Sequence, residues 1–286
     1  RPVSSAASDV YKRQIKKVAI QGVKGSFHHL VTQNYFASAV EIEPFLNFKE
    51  VVNALTEKKV EAAVMALENS IAGSIIPNYA LIDNNALHIT GEYYLDVQHN
   101  LMALPGQSIA DIKEVCSHPM ALLQCQAFFD QYSHIKLVED SDTAEVAERI
   151  NKHQLKGIAA IASSAAAEIF KLQILAKNIQ TIRSNETRFV ILERQPHTTS
   201  TINKASLKFL LDHKRGSLAA MLNVMSDCNL NLTKIQSIPK IDTPWKYAFF
   251  VDVTFDTEEN YEKAKALMNI MAEEFKVLGT YKNAKK

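Results

Sequence analysis

From residue 17 onward, short apolar runs alternate with longer amphipathic stretches, and the period of the apolar positions separates two kinds of segment. The runs at 18–21, 40–44, 62–67, 115–117, 136–139 and 158–162 are brief and bounded by polar residues, which predicts strands. The stretches 27–37, 48–58, 75–83, 121–131 and 144–152 place apolar residues at helical spacing. Strands alternating with helices predict right-handed crossovers and a mostly parallel sheet. Residues 90–104 interrupt this alternation: they are apolar and tyrosine-bearing without a helical repeat, and predict paired extended segments crossing between two lobes.

The pattern changes near residue 195. Residues 195–204 hold Pro, Ser and Thr with no apolar period and predict a linker, taken as 196–204 in the domain division. Beyond it the pattern predicts a strand at 205–212, a helix at 217–227, strands at 230–238 and 246–255, a helix at 258–273 and a last strand at 277–281. The order βαββαβ is that of a ferredoxin-like fold. Residues 1–14 begin without Met and show no apolar signal-peptide core, so they are expected to be a non-native or disordered leader outside the fold.

Composition narrows the function classes. A chain of 286 residues that is 47% hydrophobic and 22% charged can bury a full core and is expected to divide in two. No apolar run reaches the roughly eighteen residues of a membrane span. A net charge of +1 with no long basic run argues against nucleic acid as the main partner. Cys116, Cys125 and Cys228 have neither metal-ligand nor redox spacing and are expected to be reduced, buried thiols of a cytoplasmic protein. His28 and His29 are adjacent while His88, His99 and His118 are scattered, so no zinc pattern forms, and neither a metal nor a cofactor is expected. Gly22 and Gly25 do not complete a dinucleotide fingerprint, and no Lys-Ser or Lys-Thr pair closes a phosphate loop.

The candidate chemistry is concentrated at strand-to-helix turns. Asn185, Thr187, Arg188 and Phe189 lie where a loop is expected to feed the strand 190–193, and strand mouths are where open α/β sheets place ligands. Gly22, Gly25 and Ser26, then Asn69, Ser70 and Gly73, then Ser117 and Pro119, then Ser141 and Thr143 put small or hydroxyl residues at predicted helix starts. Such positions favour anions, since first-turn N–H groups lack partners and the helix dipole is positive there. The same residue types are preferred caps in any protein, so one such turn alone reads as a cap by roughly four to one. Glu68, Asn69 and Ser70 combine carboxylate, carboxamide and hydroxyl, able to orient a polar substrate through donors and acceptors together. Ser117, His118 and Pro119, with Gln124 on the following helix, form a second group, in which His118 lacks an orienting carboxylate and is expected to play a supporting role.

Taken in order, residues 22–27, Glu68 to Ser70 with Gly73, residues 117–119 with Gln124 and Cys125, residues 142–144, residues 161–167, and Asn185 with residues 187–189 resemble the motif series of the prephenate dehydratase family. The resemblance runs from about residue 17 to the end of the chain. It departs at Val23, where that family often has proline, at His28, where it often has a small hydroxyl residue, and at Phe170 and Lys171, where Tyr-Gly is common.

The resemblance implies an α/β chain: a two-lobed periplasmic-binding-like catalytic domain at 15–195, with lobes of about 17–95 plus 183–195 and of 96–182, then a ferredoxin-like ACT regulatory domain at 205–286. It implies a lyase of L-phenylalanine biosynthesis that takes prephenate to phenylpyruvate, water and CO2. Thr187 matches the family's catalytic threonine, and Glu68, Asn69, Ser70, Ser117, Gln124 and Arg188 match its substrate-binding positions. Two other functions stay open: dehydration of arogenate, the aminated analogue, and a non-catalytic small-acid sensor. In the C-terminal segment Gly216, Ser217, Leu218 and Ala219 match an effector loop. Gln236 and Ser237, followed by Ile238 and Pro239, stand where Glu-Ser-Arg-Pro is common, so two charges are lost there. L-Phenylalanine as feedback effector and a homodimer or homotetramer through ACT pairing are implied in the same way.

Overall fold

The computed structural model describes residues 15–37, 40–196, 201–212, 214–240 and 246–285. The expected leader and part of the expected linker, residues 197–200, lie outside the described residues. In the first stretch β1 (Lys17–Gln21), α1 (Phe27–Phe36), β2 (Glu41–Phe45), α2 (Phe48–Thr56) and β3 (Ala62–Asn69) follow the predicted alternation. β1 pairs in parallel with both β2 and β3. The short β4 (Gly73–Ser74), α3 (Ile76–Asn84) and β5 (His88–Asp96) come next.

β6 (Asn100–Ala103), β7 (Glu114–Ser117), α4 (Pro119–Gln124), α5 (Gln126–Phe129), β8 (Lys136–Glu139), α6 (Thr143–His153), β9 (Ile158–Ala162), α7 (Ser164–Ile169) and β10 (Gln173–Ala176) make the second α/β stretch. The chain then runs into β11 (Glu186–Glu193). One sheet has the order β2-β1-β3-β11-β5, with β4 beside β3, and another has the order β10-β6-β9-β7-β8. The second packs two apolar clusters, one around Met102, Ala147, Ile150 and Phe170, the other around Leu101, Val115, Phe129 and Ile161.

Several expectations change. The extended segments within 90–104 do not pair with each other: β5 joins the first sheet beside β11, and β6 joins the second between β10 and β9. The helix expected at 121–131 is two short helices that meet at Cys125, whose backbone leaves the helical region at φ −105° and ψ 5°. β11 starts at Glu186 rather than at 190, so Thr187, Arg188 and Phe189 are strand residues and not part of the preceding loop. α7 and β10 had no counterpart in the apolar pattern, because six and four residues are too few to show a period.

The C-terminal stretch contains β12 (Lys204–Leu210), α8 (Ser217–Asp227), β13 (Asn231–Pro239), β14 (Tyr247–Thr254), α9 (Glu258–Met271) and β15 (Glu274–Tyr281). Its strands form an antiparallel sheet ordered β13-β14-β12-β15, over a core that includes Leu207, Phe209, Met225, Val253, Tyr261 and Met268.

The chain divides into two compact units, Lys16–Gly73 with Tyr94–Phe189 and Ser74–Tyr93 with Val190–Lys286. The second takes in more than the expected 205–286, and its contacts explain why. Tyr79 on α3 packs edge-on against Phe250 at 5.2 Å. Asp83 at the end of α3 bridges Lys208 and Lys276, each at 2.7 Å. Burial would raise the Asp83 carboxyl, but its bonds to the two lysines outweigh that and hold it below its usual range. Glu92 on β5 is fully buried against Lys204 at 2.8 Å. Gly279 passes so close to β5 that an added Cβ would stand 2.0 Å from the carbonyl oxygen of Ile89.

Candidate active site

The polar residues of the first unit meet through side-chain amides. Asn69 closes β3, and its Oδ1 accepts from the backbone N–H groups of Ile71 (2.9 Å) and Ala72 (2.8 Å), a turn that fixes which way the carboxamide faces. Nδ2 must then point to the start of β11, where it donates to Oδ1 of Asn185, the residue just before the strand, at 2.7 Å and to Thr187 Oγ1 at 2.8 Å. Asn185 in turn donates through Nδ2 to Gln124 Oε1 at 2.9 Å. That oxygen also meets His99 Nε2 at 2.9 Å, so Nε2 carries the proton and the imidazole is the Nε2–H tautomer.

One backbone turn therefore orients four side chains in succession. The Thr187 hydroxyl is an acceptor toward Asn69, which leaves its own proton to donate. Thr187 and Asn185 are buried, at 8% and 0% exposure. Burial lowers the His99 pKa, and the bond to Gln124 only partly opposes this, so the ring is neutral. Its Nδ1 is buried and has no hydrogen-bond partner among the described residues. The His99 backbone N–H donates to Gln180 Oε1 at 3.0 Å, and Phe27 packs edge-on against the ring at 5.8 Å.

Not every residue marked from sequence joins this chain of bonds. Ser70 is beside it: its N–H donates to the Glu186 carbonyl and its Oγ accepts from the Glu186 N–H, clamping β3 to the start of β11. Ser117 is fully buried and donates to the carbonyl of Ile161 at 2.8 Å, which ties β7 to β9 and commits the hydroxyl proton. Arg188 is 2% exposed, and since neighbouring strand side chains alternate, it leaves β11 on the face opposite Thr187. By the same alternation Glu68 leaves β3 opposite Asn69. His118 caps α4 by accepting from the Met120 N–H at 3.2 Å.

Sequence reasoning missed His99 and Gln180 and left Asn185 without a role. His99 lies just after β5 with no motif around it, and its meaning comes from a partner 25 positions away.

A cavity of about 480 Å³ in the same unit lies at the ends of β1 and β2 and the turn after β8, lined by Val23, Phe45, Leu46, Glu50, Asp142 and Glu145 among others. Neither Thr187 nor Asn69 lines it, and three carboxyl groups suit it poorly to a dianion. Asp142 caps α6, and burial raises its pKa.

In the second unit a smaller cavity of about 150 Å³ is lined by Leu211, Asp212, Lys214, Ser217, Leu218, Lys246, Tyr247 and Phe249. It brings in Ser217 and Leu218 of the expected effector loop. Gly216, at φ +84°, is the N-cap of α8 and supplies no side-chain cap. Ala219, Gln236 and Ser237 do not line the cavity. Cys116, Cys125 and Cys228 are buried free thiols, as expected. Among the described residues no helix is long and apolar enough to cross a membrane.

Comparison with known proteins adds the following. The family model for prephenate dehydratase matches residues 18–197. "Arogenate dehydratase 2" of Petunia hybrida is 40% identical over 225 residues, covering 78% of this chain but 57% of its own length. "Arogenate dehydratase/prephenate dehydratase 2, chloroplastic" of Arabidopsis thaliana is 35% identical over 277 residues, covering 93% of this chain and 72% of its own. The solved structure of GqqA, presented as a novel type of quorum quenching acylase, is 27% identical with a TM-score of 0.84, covering 94% of this chain and 98% of that one.

Proposed function

Because the chain belongs to the prephenate dehydratase family, we propose that its Asn69–Thr187 cluster catalyses the decarboxylative dehydration of prephenate to phenylpyruvate, water and CO2. The observation that carries this reading is the 2.8 Å bond from Asn69 Nδ2 to Thr187 Oγ1, which makes the hydroxyl oxygen an acceptor there and leaves its proton to donate elsewhere. Loss of CO2 leaves electrons that aromatise the ring as the hydroxyl departs. The departing oxygen gathers negative charge unless it receives a proton or hydrogen bond. An aliphatic alcohol is a weak acid, so Thr187 acts by a hydrogen bond that strengthens as that charge grows. The chemistry needs no nucleophile.

Around Thr187, the amides of Asn69, Asn185 and Gln124 and the hydroxyl of Ser70 position the substrate. Ser117 supports β7, and Glu68 and Arg188 act from the far face of the sheet. The lobes are proposed as 17–95 with 183–195 and as 96–182. The C-terminal segment is proposed as an ACT domain on its element order, pairing with a second copy as a homodimer or homotetramer. Its small cavity is lined by Lys214 and Asp212, paired with each other, by Lys246, paired with Glu273, and by Tyr247 and Phe249, so an amino acid's carboxylate and ammonium would share these charges and its aromatic side chain would meet the rings. That chemistry fits L-phenylalanine as effector. Buried free thiols fit a reducing compartment such as the cytoplasm.

An acyl-transfer reading, in the manner of the acylase, requires a nucleophile bonded to a base. The hydroxyls here have other partners: Thr187 faces an amide, Ser117 a carbonyl and Ser70 a backbone N–H. Separate incubation with prephenate and with arogenate, following phenylpyruvate and phenylalanine, tests the main reading. Turnover of prephenate is expected; turnover of arogenate alone would reassign the substrate, and turnover of neither favours the sensor. Titration calorimetry with L-phenylalanine tests the effector site, and absence of both heat and inhibition would remove it.

A further inference from the structure

His28, the second residue of α1, is an aromatic base that bonds one of the two strands carrying the cluster and touches the other through a ring contact. The pairing of β1 with β3 stops at Ile20 and Val64, since the chain turns at Gly22 and enters α1. Two residues farther along β3, the Ala66 N–H donates to Nε2 of His28 at 3.2 Å. The imidazole takes the place of a strand carbonyl there. Its ring also stands edge-on to Phe189 of β11, with centroids 5.0 Å apart and planes at 87°, and edge-on to Phe48 at 5.4 Å. Ala66 lies three residues before Asn69, and Phe189 two residues after Thr187.

We propose that His28 is a positioning residue, which steadies the ends of β3 and β11, already paired in one sheet, so that Asn69 Nδ2 keeps its reach to Thr187 Oγ1. The two requirements select the residue. Phenylalanine would keep the ring contacts and leave the Ala66 N–H without this acceptor, whereas serine would supply an oxygen but neither the reach nor the ring. The acceptor must be an unprotonated Nε2, which makes the neutral ring the Nδ1–H tautomer. Burial keeps it neutral, pushing its pKa down to about 3. The inference deepens the proposed function and rests on Thr187 being the donor.

The test uses His28→Phe and His28→Gln in the full chain, with kcat and KM for whichever acid the wild type turns over, and amide hydrogen exchange at Ala66. His28→Phe is expected to lower kcat about tenfold with KM little changed, as a small misplacement of a catalytic group does. The same variant should speed exchange at Ala66. His28→Gln, which keeps an acceptor of similar reach, is expected to recover most of both. Wild-type kcat in His28→Phe, or equal losses in the two variants, overturns the proposal. On the wild-type chain, nitrogen-15 spectra of the ring should show Nε2 unprotonated, and an Nε2–H signal overturns it even if a variant fails to fold. Failure of the proposed function would appear as no turnover by the wild type, while the exchange and ring signals still report on the His28 bond.

Discussion

The two units secure their polar groups by opposite means. In the first, a neutral relay of Asn69, Asn185, Gln124 and His99 is oriented from one backbone turn and ends on the Thr187 hydroxyl. In the second, α3 and β5 are joined to the antiparallel sheet by full charges, Asp83 with Lys208 and Lys276 and Glu92 with Lys204. Amides and hydroxyls hold direction with little desolvation cost, which suits a site that must present one proton at one place. Ion pairs tolerate less change once buried, since losing one partner leaves a charge in a poor solvent. The comparison implies that the first unit should fail in rate and the second in stability.

The largest effect is expected at the buried pair. Lys204→Met leaves the Glu92 carboxylate short of its cation and should cost about 3–5 kcal/mol in denaturant unfolding, with the double variant Lys204→Met, Glu92→Leu recovering much of it. A small loss would mean that the charges do not hold this unit. Next, Thr187→Ala should lower kcat by about two to three orders of magnitude, roughly 3–4 kcal/mol of barrier, while the melting temperature stays close to wild type. Near-normal turnover would take Thr187 out of the catalytic role and end the contrast between rate and stability.

Acid should separate the units. His28 is held at about 3 against an ordinary 6.5, so below pH 6.5 the unfolded chain binds a proton that the fold refuses. Stability then rises with pH, is complete above about 6.5, and by pH 5 is down by roughly 2 kcal/mol from this group alone. His29 and His99, lowered chiefly by burial, add to the loss in the same direction, and in the second unit His88, lowered by burial and by Lys276, contributes a loss of the same sign. Asp83 is lowered from 3.8, so its lysine bonds persist at pH 5 and weaken only as pH falls through its depressed value. Hydrogen exchange at pH 5 should accordingly loosen β3 and β11 before β12 to β15, and the reverse order would refute the comparison. The smallest effect is expected at Lys59, whose bridge to Glu57 is exposed: Lys59→Ala should leave the unfolding midpoint indistinguishable from wild type in the same assay.

Most of the element order was legible in the chain itself, because alternation and helical spacing are local. The strands at 18–21, 62–67 and 158–162 and the C-terminal βαββαβ order could be read this way. Three members of the hydrogen-bonded cluster, Asn69, Gln124 and Thr187, also stand in the motifs of the chain. The surroundings of other marked residues had no local signal. Arg188 stands beside Thr187 in sequence, yet strand alternation sends it to the opposite face. Ser117 looked available for substrate until its proton was found committed to Ile161.

The sequence by itself determined most of the segments that form strands and helices, and which residue types stand at the strand ends, because both follow from a few neighbouring side chains. Only the tertiary structure decided that Asn69 reaches Thr187 across 118 positions, that His99 joins through Gln124, and that residues 74–93 share a compact unit with the C-terminal segment. Those outcomes depend on hydrogen-bond direction and charge pairing between distant segments, which no local pattern encodes.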